Sequence, residues 1–75
     1  MTSLDQLQEG ATATLVSVDG QPTLRRRLME MGLLPGTPLQ LIRRLDLGGV
    51  LELEVRRSRL SIRHGEATHL HVVRT

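Results

Sequence analysis

Three histidines, four serines and ten arginines are the candidates for ligation, nucleophilic attack or ionic contact in this 75-residue sequence. His69 and His71 are two apart, so on a strand both rings leave the same face, and His64 lies just upstream. Imidazole suits Zn, Fe, Ni and Cu, but a metal site needs three or more converging ligands supported by outer hydrogen bonds. Glu66 joins the set only if the intervening turn folds back. His64, His69 and His71 are therefore the candidate ligands, weighed against outward, solvated histidines flanking an inward Leu70. The second reading is preferred, and no metal or cofactor is expected.

Catalysis has less to stand on. With no cysteine, thiolate metal sites, iron–sulfur clusters, disulfides and Cys nucleophiles are all excluded. With no lysine, a phosphate-binding P-loop is excluded as well. Ser3, Ser17, Ser58 and Ser61 lie in no nucleophile-elbow pattern, and no Ser-His-Asp order follows from their spacing. A small barrel filled with aliphatic side chains also leaves no room for a pocket of several hundred Å³. An enzyme is not expected.

The most distinctive surface feature is the run Arg25-Arg26-Arg27. On a helix it wraps one side, with Met29 projecting between Arg25 and Arg26 and away from the stripe of Leu24, Leu28 and Met31. Three cations near a helix N-terminus oppose its dipole by a few tenths of a kcal/mol each, on the order of 0.3 when exposed. An Arg26–Glu30 pair at i, i+4, in the less favourable order, offsets part of that. The run reads either as a docking surface beside an exposed methionine or as a solvated polar face.

The elements that position these residues follow from periodicity and turn chemistry. Pro22 suits the first helical position, Gly32 a left-handed cap, and Pro35-Gly36 stops the helix from resuming. Ser3-Leu4-Asp5-Gln6 matches a capping box opening one helical turn that lays Leu4 and Leu7 over the core. Strands are predicted over Ala11 to Val18, Pro38 to Leu45, Val50 to Arg57, Leu60 to Arg63 and His69 to Arg74. In the second, Leu39, Leu41 and Arg43 share one face and Ile42 takes the other. In the third, Leu51, Leu53 and Val55 point in while Glu52, Glu54 and Arg56 point out. Asp46-Leu47-Gly48-Gly49 reads as a hairpin loop, Arg57-Ser58 as a tight turn, and Gly65 to Thr68 as a turn or 3-10 piece. The fold class is mainly β: one domain over residues 1–75, a small closed barrel of about five antiparallel strands with one short helix after the first.

The isoelectric point near 11.0 does not signal a strongly basic surface. Every basic residue is arginine and the formal net charge is only +2, so the value reflects a titration window with nothing in it. No apolar run approaches the roughly 20 residues that span a bilayer, and Met1 to Asp5 lacks a signal-peptide pattern. A soluble, cytoplasmic protein is the expectation.

With the elements in order, Arg26-Arg27-Leu28-Met29-Glu30-Met31-Gly32-Leu33-Leu34-Pro35-Gly36 followed by Leu39 to Arg43 resembles the FeoA family of ferrous iron transport proteins. The likeness continues through Leu47-Gly48, Arg59 to Arg63, Glu66-Ala67 and His69 to Val72. It implies an SH3-like barrel, a cytoplasmic location and an accessory role for the membrane transporter FeoB, through that protein's cytoplasmic GTPase domain. The membrane is then approached only through the transporter. Two departures stand out: Gly49-Val50 where Asp-Pro is frequent, and Arg57 where a turn glycine is common, so that a turn without a left-handed residue is expected. The same module occurs at the C-terminus of iron-dependent repressors; a free-standing relative of that domain is one alternative, while a DNA-reading repressor is not expected for want of a helix-turn-helix in the sequence. An RNA-binding SH3-like module is the alternative from another class, opposed by the small net charge and the absence of stacking aromatics. The expected partner-binding surface is Arg25, Arg26, Met29, Leu33 and Leu34.

Overall fold

The computed structural model describes residues 1–45 and 49–75, and its strands follow the apolar alternation with two interruptions. In chain order the elements are β1 (Thr2–Ser3), a 3-10 turn (Leu4–Gln6), β2 (Thr12–Val18), α1 (Pro22–Glu30), β3 (Pro38–Leu45), β4 (Val50–Val55), β5 (Ser58–Arg63), α2 (His64–Ala67) and β6 (Leu70–Arg74). The six strands form one antiparallel sheet in the order β1-β6-β2-β3-β4-β5. Its inner face buries Leu15, Leu41, Leu53, Leu70 and Val72 completely, so the core is aliphatic as the composition requires.

Closure differs from a simple barrel. Among the described residues no strand ladder joins β1 to β5; the 3-10 turn and α2 pack together across that gap. The expected capping box at Ser3 does not form, because Ser3 pairs with His71 as part of an edge strand and its side chain makes no cap hydrogen bond. Leu4 and Leu7 nevertheless cover the core, at 0% and 2% exposure. The segment from Gly65 to Thr68 becomes part of a single helical turn, and β6 begins at Leu70 rather than His69.

Both interruptions are bulges. Against β6, Leu15 faces Val72 and Ser17 faces His71, leaving Val16 as an extra, exposed residue. Against β4, Leu41 faces Leu53 and Arg43 faces Glu52, leaving Ile42 as the extra residue. An inserted residue reverses the inside–outside phase beyond it. Arg43 is thus outside, with its Nε donating to Glu52 Oε1 at 3.0 Å, instead of sharing the inner face with Leu39 and Leu41. Arg44 takes the partly buried place. Its Nη2 donates to Asp5 O at 2.6 Å and to Leu7 O, and its backbone N–H donates to Glu9 Oε2 at 2.7 Å. The N-terminal turn is thereby tied to β3.

The β4–β5 hairpin also departs from expectation. β4 stops at Val55, which pairs with Ser58, and Arg56-Arg57 form a two-residue turn with φ of +51° and +69°. A two-residue hairpin matches the right-handed strand twist when both central residues are left-handed. The turn keeps that geometry without glycine, at about 1–2 kcal/mol for each left-handed L-residue. Of the predicted loop at Asp46 to Gly49, Asp46, Leu47 and Gly48 lie outside the described residues.

Candidate partner-binding face

α1 is built as its sequence suggests. Pro22 opens it, and Leu28 is buried while Leu24 and Met31 pack partly buried against the core. At its end, Gly32 adopts φ +96°, its N–H donates to Met29 O at 3.0 Å, and the Leu33 N–H donates to Leu28 O at 3.0 Å. This pair of bonds is a Schellman motif, which brings the residue after the glycine back over the last helical turn. Leu33 is that residue and is fully buried in the same cluster as Leu28. It leaves the expected partner-binding set for that reason. The position directly after the capping glycine was the available signal.

The other four members stay together on the outside. Arg25 and Arg26 are exposed, Met29 is 48% exposed and Leu34 36%. With Pro22 and Glu30 they line a shallow hollow of about 430 Å³. Pro22, Arg26, Met29 and Glu30 were reachable from sequence as an i, i+4, i+7, i+8 set on one helix face. A second hollow, of about 150 Å³, is lined by Ser17, Val18, Arg25, Met29 and Pro35. Arg25 and Met29 are common to both.

The three arginines of the run have different electrostatic surroundings. Arg27 forms an ion pair with Glu66 on α2, whose Oε1 also accepts the Arg63 backbone N–H at 3.2 Å. Among the described residues Arg25 and Arg26 have no carboxylate at ion-pair distance, and the expected Arg26–Glu30 pair is not formed.

The histidines divide into two places. His69 Nδ1 lies 2.7 Å from Asp19 Oδ1 and His71 Nε2 lies 2.5 Å from Asp19 Oδ2, so one carboxylate bridges both rings. His64 is elsewhere, with Nε2 3.9 Å from Asp5 Oδ2. Among the described residues no group of three or more His, Cys, Asp or Glu is arranged to hold a metal ion. Gly20, at φ +100°, makes room for this arrangement, since a Cβ there would stand 3.3 Å from His69 Nδ1.

The hydrogen bonds from His71 and then His69 hold the Asp19 carboxyl below its ordinary value. A carboxylate with a depressed folded-state value adds stability above its unfolded value, and that stability is lost as pH falls through the folded one. Asp19→Asn is therefore expected to lower the thermal midpoint near neutral pH. The gap to the parent protein should narrow as pH falls below about 4. Thermal melts of both proteins across acid pH check this, and a gap that is constant with pH would contradict it.

Residues 2–74 match the FeoA domain family. No curated protein sequence matches the chain. Among solved structures, the FeoA protein from Chlorobium tepidum is 35% identical with a TM-score of 0.87, the match covering 95% of this chain and 68% of that one. An iron uptake regulatory protein, also described as FeoA, is 26% identical with a TM-score of 0.88, covering 99% of this chain and 96% of the other. A manganese-dependent transcriptional repressor is 18% identical with a TM-score of 0.89, covering 97% of this chain but 41% of the repressor. That last likeness is one of fold alone.

Proposed function

The chain belongs to the FeoA family, whose membership implies a role in ferrous iron transport, and we propose that it serves there as a non-enzymatic accessory protein that binds the cytoplasmic GTPase part of the transporter FeoB. The proposed contact is the outer face of α1 with the turn after it, through Arg25, Arg26, Met29 and Leu34. The observation that carries this reading is the combination of exposed Met29 and Leu34 with two arginines lacking carboxylate partners among the described residues. Methionine and arginine are enriched in protein interfaces, where an apolar centre is rimmed by polar groups. A cytoplasmic position belongs to the same proposal; no helix among the described residues is long and apolar enough to cross a membrane.

The test is an affinity measurement between the protein and the cytoplasmic domain of the transporter. Arg26→Glu combined with Met29→Ala should weaken binding about tenfold or more, the scale expected when an interface loses a charged and an apolar anchor. Both side chains are exposed, so the circular dichroism spectrum and melting temperature should hold. Unchanged affinity in the double variant removes this surface, and absence of binding by the parent removes the partner.

A further inference from the structure

Arg25 and Met29 stand one helical turn apart and form a ridge between the two hollows on the outer side of α1. On one side the apolar floor is Pro22 and Leu34, and on the other it is Val18 and Pro35. A segment crossing the ridge can thus place one apolar side chain in each hollow, with the Arg25 guanidinium between them. Arg26 opens onto the larger hollow only.

The charges select what lies over the ridge. Arg27 already has Glu66 as its counter-ion, whereas among the described residues Arg25 and Arg26 have no carboxylate at ion-pair distance. Glu30, in the lining of the larger hollow, is left at its edge, so the carboxylates of a partner are drawn toward Arg25 and the ridge. Guanidinium groups form strong contacts with carboxylates and phosphates, in paired charge-assisted hydrogen bonds. Arg25 also lies in the first turn of α1, where added negative charge is favoured by the helix dipole. Lysine or arginine in a partner would meet like charge over the centre of the site. A nucleic-acid backbone would satisfy the arginines but leave both apolar hollows unfilled, and the chain has no aromatic side chain on which a base could stack.

Resting on the reading that this face binds a protein, we propose that it recognises an acidic segment in which two apolar side chains flank one or two carboxylates. The apolar side chains occupy the two hollows, and the carboxylates lie over Arg25 and Arg26. Met29, which walls both hollows, packs against both apolar anchors.

The test uses a fluorescein-labelled synthetic peptide with a Leu-Glu-Glu-Leu centre in Gly/Ser flanks, a control peptide with Lys for both Glu, and short overlapping peptides covering the cytoplasmic part of the transporter. The acidic peptide should bind the full chain, and the Lys control should bind at least about tenfold more weakly, since like-charge juxtaposition suppresses wrong partners. Arg25→Glu should reverse that preference, and added salt should weaken the acidic peptide. Val18→Ser and Leu34→Ser, each affecting one hollow, should each weaken binding less than Met29→Ala does. If the designed peptide binds in this Arg25-dependent way while neither the transporter domain nor any of its peptides does, the ligand class stands and the identity of the partner falls. If the transporter domain binds with an affinity indifferent to Arg25→Glu and to salt, the ligand class falls and the partner stands. Failure of every peptide, or tighter Arg25-dependent binding of a single-stranded RNA oligomer, overturns the proposal.

Discussion

Leu33→Ala is expected to cost about 2–5 kcal/mol of folding stability, while Leu34→Ala, one residue further on, costs about 0.5 kcal/mol or less. The two leucines follow the same capping glycine and differ in where the Schellman turn sends them. Leu33 returns over Leu28 and is fully buried, so truncation leaves a cavity in a core with no aromatic side chain to collapse into it. Leu34 is 36% exposed on the rim of the larger hollow, so its truncation opens no comparable void. Urea denaturation of both variants measures the difference through the shift in midpoint at constant slope. Equal costs would mean that Leu33 is not held in the core. The contrast also separates stability from docking: Leu34→Ala should weaken partner binding in a well-folded protein, whereas loss of binding by Leu33→Ala would follow from unfolding.

Arg44→Met should destabilise the protein by about 1–3 kcal/mol, the range for leaving acceptors away from solvent without a donor, and toward its lower end because these carbonyls are only partly buried. Methionine keeps much of the aliphatic stem, so the change isolates the guanidinium. That group donates to Asp5 O and Leu7 O, carbonyls of the N-terminal 3-10 turn and the residue after it. This turn lies with α2 between β1 and β5, so its detachment exposes Leu4 and Leu7 together. Amide exchange should therefore accelerate first at Leu7 and Ala11, whose N–H groups donate to Leu4 O and Gln8 O. Exchange that rises uniformly over the whole sheet would show that Arg44 acts on global stability instead.

Much of this fold is legible in short stretches of the chain. Leu24, Leu28 and Met31 mark the inner stripe of α1, Pro22 its start and Gly32 its end, because helix periodicity and backbone limits are local properties. The strand Val50–Val55 is equally plain, with Leu51, Leu53 and Val55 alternating with glutamates. The bulge at Ile42 was not legible: an extra isoleucine among Leu39, Leu41, Arg43 and Arg44 carries no mark that separates an inserted residue from a paired one. The Arg56-Arg57 turn was not legible for the opposite reason. The left-handed geometry is demanded by the twist of the paired strands, even though arginine has no preference for it.

The candidate binding face divides the same way. Arg25, Arg26 and Met29 could be placed outside from helical spacing alone, since their angular positions follow from the positions of the buried leucines. Their separation from Arg27 in electrostatic role could not, because Glu66, the partner that occupies Arg27, arrives from α2 near the far end of the chain. The histidines show the same limit. His69 and His71 share a face by strand geometry, but the carboxylate they share is Asp19, at sequence separations of 50 and 52.

Local residue patterns thus suffice for the helix with its caps, the phase of the unbulged strands, the aliphatic core and the family signature across α1 and the turn that follows. Each of these depends on the conformational limits and apolar spacing of a few consecutive residues. Long-range packing was needed to turn Leu33 inward, to set Arg44 on the N-terminal turn, and to leave Arg25 and Arg26 beside the hollows with no carboxylate at ion-pair distance among the described residues. Burial and ion pairing are properties of which distant segments meet, and here the sheet and its two helical turns bring them together.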